Sequence, residues 1–193
     1  MATNSSNNND YARIPTIIWQ IRTLRNNHEL DGIAIWNAIL TLRFPPAQGF
    51  IHPQIHNIWH GDPDSFTLEL THLRYGQQNP VLALYYRSVN RRDDNQWDYA
   101  QRALEMYLSA RFGDLAEYAF PVYGILAIGV KVKVFTYDGP SRSIEPFVPP
   151  WDLERHHQLV WDMLGMIAGI HTGGISEMGG GVDVLGGEDK KDE

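Results

Sequence analysis

Residues 80–88 read Pro-Val-Leu-Ala-Leu-Tyr-Tyr-Arg-Ser, a run that is apolar almost to its end. Such a run is typical of a strand covered on both faces, so it predicts the centre of a sheet. On its N-terminal side, residues 66–70 alternate between apolar and polar side chains, which predicts a neighbouring strand. On its C-terminal side, helical spacing over residues 95–112 precedes two strand-like stretches, 122–128 and 131–137, which are joined across a glycine.

Further elements are predicted on both sides of this region. Apolar residues at helical spacing occupy residues 15–26, 33–40 and 151–170, and residues 50–54 can form a short strand. The stretch 131–137 is then the last strand, and its outer edge is expected to be open to pairing with another chain. The predicted fold class is α/β, with a mixed central sheet flanked by helices.

The composition predicts one domain. The chain has 193 residues, of which 43% are hydrophobic, and this is enough for one well-buried core. We assign the domain to residues 13–171, between a disordered Asn/Ser-rich segment at 1–12 and a disordered Gly-rich acidic tail at 172–193. The sequence shows neither a signal peptide nor a transmembrane span, so we expect an intracellular protein, cytoplasmic or nuclear, without a membrane partner.

Charge and cysteine content exclude several kinds of site. The formal net charge is -7, of which the tail from residue 181 carries -3, with five acidic residues against two lysines. This balance argues against a broad electrostatic grip on nucleic acid, which depends on clustered Lys and Arg. Because the chain has no cysteine, disulfides, thiolate metal sites and a cysteine nucleophile are excluded.

Several short motifs follow one another in a recognisable order. They are Phe44-Pro45-Pro46, Gly49-Phe50, Pro53-Gln54, Pro63-Asp64, the central run at 80–88, the helix around Ala103-Leu104 with Tyr107, and residues 123–138 beginning Tyr-Gly-Ile-Leu. Together they cover about residues 30–138, and they resemble a fungal branch of the PD-(D/E)XK nuclease-like superfamily. The resemblance implies a restriction-endonuclease-like core.

The resemblance also implies where a catalytic site would lie. In that superfamily an Asp on one strand and a Glu-x-Lys on the next converge on Mg²⁺. Here Asp64 matches the Asp, but the Glu position holds Tyr85 and the Lys position holds Arg87. A phenol with a reference pKa of about 10 is a poor Mg²⁺ ligand, and a guanidinium keeps the charge of lysine but does not act as a base. The implied catalytic signature is therefore degraded to Asp64, Tyr85 and Arg87.

Nucleic-acid contacts in the superfamily often come from a helical Gln and a Tyr one turn later. Tyr107 matches the Tyr, whereas Ala103 occupies the Gln position and Gln101 lies two residues away. Arg91 and Arg92, together with Arg87, form a compact basic cluster that could contact phosphate. We therefore take Arg91, Arg92, Gln101 and Tyr107 as candidate binding residues.

Three functions are consistent with these residues. The leading hypothesis is a degraded nuclease-like protein without nuclease activity or a cofactor, in which the former active-site cleft binds a protein, a nucleic acid or a small molecule. The first alternative is an active Mg²⁺-dependent nuclease with a relocated carboxylate, in which Asp64 is joined by Glu69 or Glu105. The second is a small-molecule enzyme that uses Asp64, Tyr85, Arg87 or a nearby histidine for acid–base chemistry.

Overall fold

The computed structural model describes residues 10–26, 32–56, 65–89, 95–113 and 120–173, apart from the side chains of residues 52–54 and 56. These parts of the chain contain four α-helices and six strands. Their bounds are α1 Pro15–Asn26, α2 Gly32–Arg43, β1 Phe50–His56, β2 Ser65–Arg74, β3 Gln77–Arg87, α3 Gln96–Phe112, β4 Val122–Ile128, β5 Lys131–Asp138, β6 Ser143–Asp152 and α4 His157–Thr172.

The six strands form one mixed sheet in the order β1-β2-β3-β4-β5-β6. Neighbouring strands are antiparallel except β3 and β4, which are parallel. A parallel pair needs a crossover connection, and α3 supplies it. The predicted α/β class with a mixed central sheet is confirmed, and residues 81–86 of β3 are at most 1% exposed, as expected for a strand covered on both faces.

Helices α1, α2 and α4 cover one face of the sheet. Alternate residues of the strands, such as Leu68, Leu82 and Leu84, belong to one buried cluster with side chains from these helices, such as Trp36 and Leu164. Because side chains of a strand alternate between its two faces, the remaining residues of β2 and β3 point to the opposite side.

Among the described helices, α3 is the one that covers that opposite face. Leu104 and Leu108 of α3 lie directly over Gly124 of β4, where a β-carbon would come within 3.1 Å of both side chains. The glycine thus permits a close approach of the helix to the centre of the sheet. Ala83 and Tyr85 of β3 are buried in the same cluster.

Strand β6 was not predicted, and two expectations near it are wrong. Trp151 belongs to β6 and not to the last helix, which begins at His157. The outer edge of β5 pairs with β6, so it is not open to another chain. Strand β6 contains three prolines, at 146, 149 and 150, which lack the N–H donor of a ladder and restrict a strand to the edge of a sheet.

The N-terminal part of the fold is fixed to the turn after β6. Tyr11, which lies in the segment predicted to be disordered, is fully buried, and its hydroxyl donates to the carbonyl of Leu153 at 2.8 Å. Arg25 of α1 reaches Asp152 at 2.6 Å, and Lys131 of β5 reaches the same carboxylate at 3.2 Å. Asp152 therefore connects three elements that are distant in the sequence. The tail from residue 174 and residues 1–9 lie outside the described residues.

Two buried histidines meet at one end of the sheet. The rings of His72 on β2 and His171 on α4 are 6.5 Å apart, and Phe120 packs on His171 at 5.3 Å. Burial lowers the pKa of His171 to about 4, and the nearby His72 and Arg74 act in the same direction, while a backbone contact with Pro121 offsets them in part. The folded state thus disfavours protonation of His171.

Acid is expected to destabilise the protein through His171. The pKa of this histidine is lower in the folded state than in the unfolded chain. The unfolded chain therefore binds a proton at His171 more readily, and this favours unfolding as the pH falls from about 6.5 towards about 4. Urea unfolding should show that the free energy of unfolding of the wild type is about 2 kcal/mol lower at pH 4.5 than at pH 7. The variant His171→Leu should not show this decrease. An equal loss in the wild type and the variant would contradict this assignment.

Candidate functional site

The described candidates on β2 and β3 lie on the face that α3 covers. In the register of the two strands, Glu69 is opposite Ala83, and Thr67 is opposite Tyr85. Glu69 and Tyr85 are therefore diagonal neighbours on one face, close enough for long side chains to interact. Arg87, two residues beyond Tyr85, reaches towards α3 on the same side, and its guanidinium lies 5.0 Å from the ring centre of Tyr99.

Three of the candidates lie outside the described residues, namely Asp64, Arg91 and Arg92. Their roles stay predictions. The residue that follows Asp64, Ser65, is the strand partner of Arg87. The beginning of β2 thus lies beside the end of β3.

Tyr85, which the predicted resemblance aligns with the superfamily's Glu, is only 1% exposed. It packs in the cluster between the sheet and α3, with side chains such as Ala103 and Leu104. A phenol in this position contributes to the packing of α3 on the sheet. It leaves no carboxylate at the second position of the signature.

Glu69 is the buried carboxylate on this face, and two side chains of α3 hold it. It is 4% exposed. The hydroxyl of Tyr107 donates to Oε2 at 2.6 Å, Nε of Arg111 donates to Oε2 at 2.9 Å, and Nη2 of Arg111 donates to Oε1 at 3.2 Å. Both carboxylate oxygens thus accept hydrogen bonds in a bidentate pair with a guanidinium.

The electrostatics of this cluster keep Tyr107 and Arg111 protonated, so that both can donate hydrogen bonds. Burial raises the pKa of Tyr107, and its hydrogen bond to Glu69 raises it further, so the phenol remains a donor. The hydrogen bond to Glu69 and the charge of this carboxylate also raise the pKa of Arg111, which stays a cation. Tyr107 and Arg111 therefore both remain hydrogen-bond donors to Glu69.

The described residues do not fit a Mg²⁺ site. Mg²⁺ needs oxygen ligands that are free to turn towards it, usually carboxylates. Among the described residues no three His, Asp or Glu side chains come together in a way that could hold a metal ion. Glu69 is already held by Arg111 and Tyr107, and a cation at its oxygens would lie close to the positive charge of the guanidinium.

Glu105 and Gln101 lie elsewhere on α3. Oε1 of Glu105 accepts a hydrogen bond from the backbone N–H of Ile144 on β6 at 3.4 Å, so Glu105 points towards the other side of the helix from Glu69. Gln101 lines a groove of about 430 Å³ between α3 and β6, together with Lys133 and Phe147. The structure therefore brings Tyr107, but not Gln101, to the carboxylate of Glu69.

Two cation–aromatic pairs flank the first turn of α3, and sequence reasoning did not identify either pair. Arg87 lies over Tyr99, and the ammonium of Lys133 lies 4.6 Å from the ring centre of Trp97. Tyr99 is 44% exposed, and with Arg102 it lines a cleft of about 370 Å³. The pairs depend on where α3 begins over the sheet, which no sequence spacing reveals.

Arg111 could have been found, because it follows Tyr107 by one helical turn.

Comparison of the sequence with protein-family models, with curated proteins and with solved structures gave no match. Among the described residues, no helix is both long enough and apolar enough to cross a membrane. The resemblance to the PD-(D/E)XK superfamily thus stays a prediction.

Proposed function

We propose that this protein is a nuclease-like module that binds its partner without cutting it, on the side of the molecule where α3 packs on the sheet. The observation that carries the proposal is the bidentate pair of Glu69 with Arg111, with both carboxylate oxygens occupied. The neighbouring Tyr85, buried at the position of the superfamily's Glu, gives further support. In such a site the residues that would hold a metal serve instead to fix α3 on the sheet.

Single-stranded nucleic acid is the partner class that this face favours. Unpaired bases stack on aromatic side chains, while Lys and Arg beside them contact the phosphates. Tyr99 with Arg87 and Trp97 with Lys133 supply both kinds of contact around the first turn of α3. Because the whole chain has a net charge of -7, the binding should be local, modest in affinity and sensitive to salt.

Fluorescence anisotropy with labelled single-stranded RNA and DNA tests this proposal. Tyr99→Ala should weaken binding about tenfold by removing a stacking surface, with little change in the salt dependence. Arg87→Gln should weaken binding and lower the slope of log affinity against log salt by about one. The two variants thus separate a stacking contact from a phosphate contact.

Matched controls are available on surfaces away from α3. Tyr75 is 92% exposed at the opposite end of the β2–β3 hairpin, and Arg155 is exposed in the turn before α4. Tyr75→Ala and Arg155→Gln should leave the affinity unchanged. Equal losses in these controls, or no binding by the wild type, would overturn the proposal. A small ligand that binds in the cleft and is turned over would favour the small-molecule enzyme.

A further inference from the structure

A further pocket lies on the other side of the sheet, between the end of α2 and α4. Its volume is about 330 Å³, and its lining includes Arg43, Gln48, Trp161, Gly165 and Thr172. This volume is at the lower end of the range for small-molecule sites. The pocket shares no residue with the face covered by α3.

The guanidinium of Arg43 is held in a fixed position at this pocket. It stacks on the indole of Trp161 at 4.8 Å from the ring centre. On α4 it lies against Gly165, where a β-carbon would come within 1.5 Å of Nη2. A glycine is therefore needed at 165 for the guanidinium to occupy this place beside the indole.

Arg43 is a half-buried cation to which no described residue supplies a hydrogen-bond acceptor or a carboxylate. Arg22, Arg25 and Arg111 each reach a carboxylate within 3.2 Å. Arg43, in contrast, makes no ion pair or hydrogen bond with the described residues, and its Nε is buried without an acceptor. Leaving a buried charged donor unpaired is costly, so the site favours an acceptor from beyond the described residues.

Local electrostatics agree with this description. Burial lowers the pKa of Arg43, and the charge of Asp162 opposes this effect without making contact. Asp162 is exposed and accepts a hydrogen bond from Gln158 at 2.8 Å, so it faces away from a direct pair with Arg43. The pocket consequently keeps a positive charge to offer to a ligand.

We propose that this pocket binds a small ligand through a carboxylate or phosphate group that pairs with the guanidinium of Arg43. The planar guanidinium offers parallel N–H donors that match the oxygens of either group. Gln48 and Thr172 supply further polar groups at the pocket, and Leu42 and Pro45 supply apolar surface for the rest of the ligand. The inference is independent of the proposed function of the α3 face.

Calorimetric titration of the full chain with inorganic phosphate and with succinate tests the proposal and distinguishes the two anions. Saturable binding of at least one of them is expected, and glycerol of similar size should give none. Arg43→Gln should weaken binding at least tenfold, a loss typical of removing a charge-assisted pair. Arg155→Gln removes the same charge elsewhere and should bind as the wild type does.

Two further measurements keep the proposal testable if Arg43→Gln is poorly folded. Gly165→Ala retains Arg43 but displaces its guanidinium, so it should also weaken anion binding. In the wild type, the nuclear magnetic resonance signal of the Trp161 indole should shift on addition of the anion, whereas that of Trp97 should not. Absence of saturable binding by the wild type, or unchanged affinity in folded Arg43→Gln, would overturn the proposal.

Discussion

Asp152→Ala should lower the free energy of unfolding by about 4 kcal/mol, as expected when one partner of a buried ion pair is removed. The carboxylate is 1% exposed and contacts Arg25 and Lys131. It also accepts hydrogen bonds from the backbone N–H groups of Glu154 at 3.0 Å and Arg155 at 3.1 Å. The substitution therefore leaves buried donors unpaired and removes one of the links between α1 and the segment before α4, where Glu154 still pairs with Arg22 and Arg25. Urea unfolding at pH 7 measures the loss.

Asp152→Asn is the matched variant for this prediction. The asparagine retains an oxygen for the backbone donors but carries no charge. The free energy of unfolding should therefore decrease clearly less than in the alanine variant. Burial opposes ionisation of Asp152, but the hydrogen bonds from Arg155, Lys131 and Glu154 and the charge of Arg25 together lower its pKa. The contribution of the carboxylate is thus present at neutral pH and is lost as the pH falls through its lowered pKa. A loss below about 1 kcal/mol in Asp152→Ala would contradict the central position of this residue.

Arg111→Met should cost about 3 kcal/mol of unfolding free energy, the lower part of the range for breaking a buried pair. The value is not higher because the side chain of Arg111 is 54% exposed, and water can replace part of its contact. Glu69 would remain buried with its charge no longer paired to a guanidinium. Chemical unfolding of the purified variant at pH 7 measures the effect.

A second substitution distinguishes a structural pair from a functional one. Adding Glu69→Leu to Arg111→Met replaces both charged groups by apolar ones of similar size, so most of the lost stability should return. Recovery would show that the two residues act as one unit that holds α3 on the sheet. A double variant that is less stable than Arg111→Met alone would contradict this interpretation.

The parts of the fold that sequence reasoning predicted are those with strong local patterns. The apolar run at 80–88 lies within β3 except for its last residue, and the helical spacing at 95–112 matches α3 within one residue. Strand β6 was missed because its prolines remove the pattern of a strand, and only pairing with β5 makes the segment extended. Trp151 was consequently assigned to the helix that follows.

The candidate site was predictable only in part, since its contacts join distant parts of the chain. The alternation of β2 shows that Glu69 points away from Leu68 and Leu70, but it does not show which groups meet it there. Arg111 reaches Glu69 across 42 residues, and this contact depends on how α3 crosses the sheet. The pairing of Arg43 with Trp161 likewise depends on the packing of α2 beside α4. Local periodicity contains no information about such contacts.

Binding without cutting is tested most directly in one reaction that contains the wild type, labelled single-stranded RNA or DNA, and Mg²⁺ or Mn²⁺. Anisotropy measures the bound fraction, and a denaturing gel of the same sample measures cleavage. We predict a bound strand that stays intact with either metal. Metal-dependent cleavage that is lost in Asp64→Ala would contradict the proposal and favour the active nuclease with a relocated carboxylate.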